Sequence, residues 1–245
     1  MQNPLRLTIP GNAPSEAITK TVLDKHNGKV LLAFSAGKDS IAAWLALKAV
    51  GATVYPFYYY IHPDLGFVNR SLAYYEEFFG TRIARYPAPG LYRWWTGGVF
   101  QPPERVPVVL QSSLRPYKNE LVTDAARMDF KLAAATPVAL GIRAADSINR
   151  RTMFVRSGAI NHAGKKFYPV WDWTKQAVTT TMFKVKVKLP IDYWIFGRSF
   201  DGLDYRFIAP VKKYFPEDYA RLLDYFPLLD VELKRAGFAG MKDHL

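Results

Sequence analysis

The sequence from Val30 to Leu47 reads VLLAFSAGKDSIAAWLAL, and its three parts predict three consecutive pieces of structure. The continuous apolar run Lys29–Ser35 is typical of a strand buried on both faces of a parallel sheet. The polar residues Ser35–Ser40 predict a tight turn, and Ile41–Val50 has the alanine-rich composition of a helix that packs closely on a sheet. The segment therefore predicts a strand–turn–helix unit of an α/β fold.

The turn has the composition of an anion-binding loop. Ser35, Ala36 and Gly37 are small enough for the backbone to wrap around an oxyanion at the carboxyl edge of the sheet. The helix that follows directs its free N–H groups and its positive dipole end toward the same position. Lys38 adds a mobile cation, and the hydroxyl groups of Ser35 and Ser40 can donate hydrogen bonds to phosphate oxygens. We expect this loop to bind phosphate.

The loop differs from the common Walker A type. That type would need a glycine five residues before Gly37, where this chain has Leu32. Asp39 is less suited than its neighbours to bind phosphate directly, so its carboxylate either caps the helix or holds Mg²⁺. The sequence therefore predicts a phosphate-binding loop of another type.

The rest of the chain alternates between strand-like and helix-like segments. This alternation predicts a doubly wound, mainly parallel five-stranded sheet with helices on both faces. Besides the first strand, the predicted strands are Thr53–Tyr60, Arg82–Tyr86, Pro137–Ile142 and Lys166–Val170. Besides the helix after the turn, the predicted helices are Ser15–His26, Asn69–Phe79, Lys118–Ala135, Thr174–Val187 and a C-terminal region, Glu217–Ala236, interrupted at Pro227.

We predict a nucleotide-binding domain over residues 1–210 and a helical C-terminal extension over 211–245. Within the domain, residues 87–117 are rich in proline and aromatic residues and too long for an ordinary connection. They predict an irregular insertion, which is either a lid or binding loop or an ordered surface loop packed by its own aromatic side chains.

Composition excludes several classes of site. The 245 residues include no cysteine, which excludes disulfides, thiolate metal sites and cysteine nucleophiles, and the four histidines are far apart in sequence. The longest apolar runs, such as Val30–Phe34, are far shorter than the ~20 residues of a membrane span. With no signal-peptide pattern at the N-terminus, we expect a soluble, cytoplasmic protein without a membrane partner.

The net charge of +12 is concentrated in one stretch. Residues 141–188 contain ten basic residues against two aspartates, which accounts for eight of the twelve net positive charges. Such a cluster is either a solvated face or a surface for the phosphates of a nucleotide or a nucleic acid.

The sequence SAGKDS after a buried strand resembles the PP-loop of the ATP pyrophosphatase and adenine nucleotide α-hydrolase superfamily. With lysine before Asp-Ser, it is most similar to the 3′-phosphoadenosine-5′-phosphosulfate (PAPS) reductase branch. The resemblance covers roughly Gly28 to Asp204, and only the first motif is highly specific. Further similar segments, in the same order as in that branch, are His62–Gly66, Gly141–Arg143 with Asp146, Ser147 and Arg150, Tyr168–Thr174, and Leu189–Ser199.

Two positions depart from the family pattern. Ala36 stands where the family commonly has glycine, and its methyl group is compatible with the loop if its φ is negative. The reductases attack the sulfonucleotide with a cysteine, which this chain lacks, so we do not expect it to reduce PAPS or the related adenosine phosphosulfate (APS) by itself.

The resemblance implies an enzyme that cleaves ATP at the α-phosphate, releases pyrophosphate and adenylates an acceptor, with a nucleic acid among the possible acceptors. The expected partners are an adenine nucleotide with Mg²⁺, and a nucleic-acid substrate or a partner protein. The alternatives are a nucleotide- or nucleic-acid-binding module without turnover, and a PAPS- or APS-binding protein that uses a partner's thiol. The implied catalytic residues are Lys38, Arg143 and Arg150; the nucleotide-binding ones are Ser35, Ala36, Gly37, Lys38, Asp39, Ser40, Tyr59, Asp64, Gly141 and Arg143; and Asp39 is the candidate magnesium ligand.

Overall fold

Helices and strands alternate along the chain. A computed structural model describes residues 5–111, 116–163 and 165–238. These residues form helices and a six-stranded sheet that is mostly parallel. The predicted α/β class is therefore confirmed. None of the described helices is long and apolar enough to span a membrane. The strands are β1 (Lys29–Ala33), β2 (Thr53–Tyr60), β3 (Ala84–Pro87), β4 (Val138–Leu140), β5 (Ile160–Asn161) and β6 (Lys166–Phe167).

The sheet has the strand order β3-β2-β1-β4-β6-β5. β1 pairs in parallel with β2 on one side and with β4 on the other, and β4 pairs in parallel with β6. The prediction of five strands is wrong because β5, an edge strand, pairs antiparallel with β6. Two residues are too few for a periodic pattern, so β5 has no signal in the sequence.

The centre of the sheet is apolar, as the sequence predicts. Val30, Leu31 and Leu32 of β1 are all completely buried. β6 is shorter than the predicted Lys166–Val170 because the chain turns after Phe167, where the backbone N–H of Trp171 donates to the carbonyl of Tyr168. β1 is thus a buried core strand, and the candidate loop follows its carboxyl end.

The predicted helices are present with shifted ends, and the structure adds helices at 148–157, 191–196 and 205–214 that the sequence analysis did not predict. The predicted helix Lys118–Ala135 ends at Asp129, since Lys131 has a φ of 52° that a helix cannot continue through. The helices are α1 (Ser15–Lys25), α2 (Lys38–Ala49), α3 (Gly66–Phe79), α4 (Pro89–Thr96), α5 (Arg105–Gln111), α6 (Asn119–Asp129), α7 (Ile148–Ser157), α8 (Lys175–Lys184), α9 (Ile191–Phe196), α10 (Tyr205–Tyr214), α11 (Pro216–Tyr225) and α12 (Asp230–Phe238), with a 3₁₀ turn at Ala144–Asp146.

The predicted insertion at 87–117 is more regular than expected. It contains α4 and α5, and α4 begins at Pro89 because proline is favoured in the first helical turn. The ring of Trp95 packs at 4.8 Å from that of Tyr225, so aromatic contacts order this segment. Residues 112–115 of the insertion, and 239–245 of the predicted C-terminal extension, lie outside the described residues.

The contacts divide the chain into two compact units. The first unit contains the described residues through Tyr58 together with 75–84 and 122–189. The second contains 59–74, the described part of 85–121, and 190–238. This division does not coincide with the predicted boundary between residues 210 and 211. Each unit combines segments that are distant in sequence, whereas the prediction divides the chain at a single point.

Trp44 anchors α2 in the core of the first unit. Its ring is completely buried, stacks on Phe79 at 3.9 Å and meets the edge of Phe34 at 5.0 Å. We predict that Trp44→Ala lowers the free energy of unfolding by about 3–5 kcal/mol in urea denaturation, because it leaves a large cavity. Trp194, which is 84% exposed, provides the control, and Trp194→Ala should change stability by less than about 0.5 kcal/mol. Equal effects of the two substitutions would contradict this assignment.

Candidate functional site

The predicted phosphate loop connects the carboxyl end of β1 to the first turn of α2. Side chains within the loop hold its shape. The backbone N–H of Gly37 donates to the Ser35 hydroxyl oxygen at 3.3 Å, and the Ser40 hydroxyl donates to the Gly37 carbonyl at 2.8 Å. The two serine hydroxyl oxygens are 3.3 Å apart. Both hydroxyl groups named by the sequence analysis therefore lie on the same small turn.

Ala36 has a φ of 56°, so the condition of a negative φ, under which its methyl group would be compatible with the loop, is not met. The left-handed conformation costs an L-residue with a side chain about 1–2 kcal/mol relative to glycine. The residue is 4% exposed, which leaves it enclosed by the loop. The backbone therefore takes a conformation here that favours glycine.

The first turn of α2 has no side-chain cap. Gly37 occupies the N-cap position and no side chain there accepts a hydrogen bond from the helix. The first N–H groups of an α-helix have no partner within the helix, and the helix dipole adds positive potential at the same end. The start of α2 is thus arranged to accept an oxyanion.

Gly141 allows the end of β4 to approach this turn closely. A Cβ atom at position 141 would lie 2.6 Å from the carbonyl carbon and oxygen of Asp39 and 2.7 Å from the nitrogen of Ser40. Such distances are much shorter than van der Waals contact, and the obstacle is backbone rather than a movable side chain. Glycine is therefore required at 141 for this packing of the loop.

Charged side chains form an alternating chain across the site. Lys38 Nζ is 2.6 Å from Asp39 Oδ2, and Asp39 Oδ1 is 2.7 Å from Arg143 Nε. Arg143 also pairs with Asp146, whose other oxygen accepts a hydrogen bond from Arg150 at 2.6 Å. Three cations thus alternate with two carboxylates, and residues from the loop and from the segment after β4 are joined electrostatically.

Arg143 is the centre of this arrangement. Its side chain is 3% exposed, and a second nitrogen donates to the carbonyl of Trp173 at 3.4 Å. Arg143 Nε and Asp39 Oδ1 are 2.7 Å apart, and neither of these buried atoms makes a hydrogen bond. We treat the contact as an ion pair because the distance brings opposite full charges together. Arg143 is therefore enclosed and neutralised by carboxylates.

Lys38 and Arg150 are the more accessible cations of the site. Their side chains are 30% and 44% exposed, compared with 3% for Arg143. Of the three residues predicted to be catalytic, these two have side chains exposed enough to contact a ligand, whereas the side chain of Arg143 is buried.

Asp146 belongs to the charged chain, although the sequence predictions did not include it among the site residues. It pairs with Arg143 three positions before it and with Arg150 four positions after it. Arg143 and Ser147 are both extended, so the three residues do not share one helix, and their pairing depends on the 3₁₀ turn before α7 rather than on helical spacing.

Asp39 does not fit the predicted role of a magnesium ligand. Each of its carboxylate oxygens lies within 2.7 Å of a cationic nitrogen, one from Lys38 and one from Arg143. A metal ion would have to displace one of these cations to coordinate the carboxylate. Among the described residues, no group of three or more histidine or acidic side chains is arranged to hold a metal.

Tyr59 and Asp64 belong to the second unit. Tyr59 is half-buried near the carboxyl end of β2, and its pKa is raised, chiefly by burial and then by its electrostatic interactions with Tyr117 and Glu120. Asp64 is exposed, and its backbone N–H donates to Nδ1 of His62 at 3.1 Å.

His62 has the surroundings of a turn residue. It is buried against the ring of Tyr225 at 4.2 Å, and this burial is the main cause of its lowered pKa. Because Nδ1 accepts the N–H of Asp64, the ring stabilises the turn after β2.

No protein-family model matches the chain, and no curated protein matches its sequence. The resemblance to the PP-loop superfamily therefore rests on the residues of the chain itself.

The conformation of Ala36 gives the first test of the loop. We predict that Ala36→Gly leaves the free energy of unfolding unchanged or raises it by up to about 1 kcal/mol, because relief of the left-handed strain offsets the greater backbone entropy of glycine. Ala46→Gly in α2 provides the control and should lower it by about 1 kcal/mol. Urea denaturation measures both. A loss at position 36 as large as that at 46 would contradict the assigned φ.

Gly141 gives the second test. We predict that Gly141→Ala lowers the free energy of unfolding by about 1–3 kcal/mol, because the new methyl group overpacks against the backbone of α2. Gly90→Ala is the matched control, since a Cβ at 90 meets no atom within 4 Å, and in α4 it should leave stability unchanged or raise it by up to about 1 kcal/mol. Thermal denaturation of the two variants compares them directly, and equal stability would argue against the close approach at 141.

Proposed function

We propose that the chain is an adenine-nucleotide-binding enzyme of the PP-loop type, with a doubly wound fold like that of the adenine nucleotide α-hydrolases. The observation that carries the proposal is the loop 35–40. It follows a buried strand, has a glycine-type φ at its second residue, and its last three residues form the first turn of an uncapped helix. These are the features by which loops bind the phosphates of a nucleotide.

The proposed reaction forms one bond and breaks one. An acceptor oxygen attacks the α-phosphorus of ATP, and the bond from that phosphorus to the α,β-bridging oxygen breaks. Pyrophosphate leaves with the bridging oxygen, and the acceptor retains the adenylate; if the acceptor is water, AMP is released. Because the leaving group is a polyanion, cations and oriented N–H groups that strengthen their contacts with it lower the barrier most.

The accessible groups of the loop suit the leaving pyrophosphate. Ser35 supplies an exposed hydroxyl group, and the start of α2 supplies N–H groups and positive potential, whereas Ser40 is buried and its hydroxyl donates to the Gly37 carbonyl. Lys38 supplies the cation, and Asp39, 2.6 Å from its Nζ, holds that cation at the loop. Tyr59 and Asp64 belong to the second unit, and their binding of the nucleotide stays a prediction from the sequence.

The two arginines take different parts in this proposal. Arg150, which is 44% exposed, is suited to the α-phosphate or the acceptor. Arg143 is buried and paired with Asp39 and Asp146, so it acts as a positioning residue that fixes Asp39 and thereby Lys38. We do not propose direct contact between Arg143 and the α-phosphate, because such contact would require the ion pair between Arg143 and Asp39 to break.

Magnesium would supply charge neutralisation on the phosphate oxygens of bound ATP. No step of the proposed reaction depends on a metal held by Asp39, since both of its oxygens contact cations.

ATP labelled in the α-phosphate tests the proposal. With Mg²⁺ and a panel of small acids and oligonucleotides as acceptors, we expect labelled AMP or labelled acceptor, together with pyrophosphate. Lys38→Met should reduce the rate by about 10²–10³-fold, because it removes the loop cation. Lys175→Met, at an exposed position on α8, removes the same charge elsewhere and should retain the rate. Absence of all these products, or equal rates for the two variants, would count against the proposed ATP cleavage.

A nucleic-acid-binding module without turnover is the second candidate. An exposed basic and aromatic segment favours it: Phe183 is 86% exposed and is flanked by the exposed Lys184 and Lys186. Cations beside a stackable ring suit a single strand. Fluorescence anisotropy with single-stranded DNA and RNA should then give an affinity that falls steeply with salt and weakens in Phe183→Ala. Salt-independent or undetectable binding would remove this candidate.

A further inference from the structure

The first unit contains a second cationic site, away from the loop 35–40. A cavity of about 190 Å³ lies between the last turn of α1 and the hairpin formed by β5 and β6. Lys25 and His26 line it from the end of α1, and His162, Lys165 and Lys166 line it from the hairpin. No aspartate or glutamate is among its lining residues.

The positive charge of this cavity is not balanced locally. In the described part of the chain, none of the three lysines is within 4 Å of a carboxylate oxygen. The Nζ of Lys165 donates to the carbonyl of Ala134 at 2.9 Å, which holds one ammonium group in place. Cations gathered in a concave site repel one another and raise the potential for an anion.

The inner wall of the cavity is apolar. Val22, Pro137 and Phe167 all line it and are all buried. A cavity of about 190 Å³ has room for more than a bare phosphate, since a water molecule occupies about 30 Å³ of the liquid. The site therefore combines a cationic rim with an apolar wall, which suits an anion that carries a small organic group.

The cavity and the loop are at opposite ends of the same strand. Pro137, which lines the cavity, precedes β4, and Gly141, which touches the loop, follows it. Four residues of extended chain separate these positions by roughly 13 Å. One small ligand cannot occupy both places, so the cavity is a separate site.

We propose that this cavity binds a small organic phosphate. The phosphate dianion contacts the ammonium groups of Lys25 and Lys166, with the imidazoles of His26 and His162 as further donors, and the organic group lies against the apolar wall. This site is independent of the proposed function of the loop.

Inorganic phosphate and phenyl phosphate are the probes. We expect both to raise the thermal unfolding temperature of the full chain, with phenyl phosphate binding more tightly in calorimetric titration because its ring meets the apolar wall. Lys25→Gln with Lys166→Gln should weaken phenyl phosphate binding by at least about tenfold, because two charge-assisted contacts are lost. Lys175→Gln with Lys184→Gln removes the same charge from exposed positions outside the cavity and should leave the affinity unchanged.

Lys38→Met separates this site from the loop. Phosphate binding that survives Lys38→Met but is lost in the Lys25/Lys166 variant supports the proposal, whether or not the chain cleaves ATP. The proposal is overturned if neither probe binds at about 10 mM, far above common metabolite affinities. It is also overturned if phenyl phosphate binds no more tightly than phosphate, if the Lys25/Lys166 variant retains the affinity, or if Lys38→Met abolishes it.

Discussion

The buried ion pair between Arg143 and Asp39 connects the end of β4 to the first turn of α2, and the rest of the candidate site depends on it. The two groups can meet because Gly141 lets the strand end touch the backbone of that turn. Losing either side chain would leave the other with one oppositely charged partner instead of two, since Arg143 would retain Asp146 and Asp39 would retain Lys38. The pair therefore fixes the position of the loop more than it contributes a group for ligand contact.

This arrangement separates positioning from binding. The buried arginine and the two aspartates hold one another, while Lys38 and Arg150 at the two ends of the charged chain retain solvent access. A polyanion at the loop would meet these two cations and the start of α2 without removing any charge from the core. The cavity at the other end of β4 differs in its charges. Lysines lie beside its apolar wall, and no carboxylate is among its lining residues.

The sequence was most informative where one segment had to satisfy several constraints at once. A buried apolar run followed by small residues and a helix predicted β1, the turn and α2 in the right order, but α2 begins at Lys38, three residues before the predicted start at Ile41. The φ of Ala36 could not be predicted, because a methyl group normally disfavours the left-handed conformation that the loop imposes. The edge strand β5 and the burial of Arg143 depend on tertiary contacts: pairing with β6 in one case, and carboxylates from two segments in the other. Local pattern carries little information about either.

A crystal structure of the chain with a non-hydrolysable ATP analogue, methylene-bridged between the α- and β-phosphates, tests the central claim most directly. The account predicts the β- and γ-phosphates at the turn between Ser35 and Ser40, with Lys38 in contact with them. It also predicts that Arg143 remains paired with Asp39 in the complex. A nucleotide bound elsewhere, an empty loop at saturating analogue, or an Arg143 that leaves Asp39 to contact the phosphates would contradict the account.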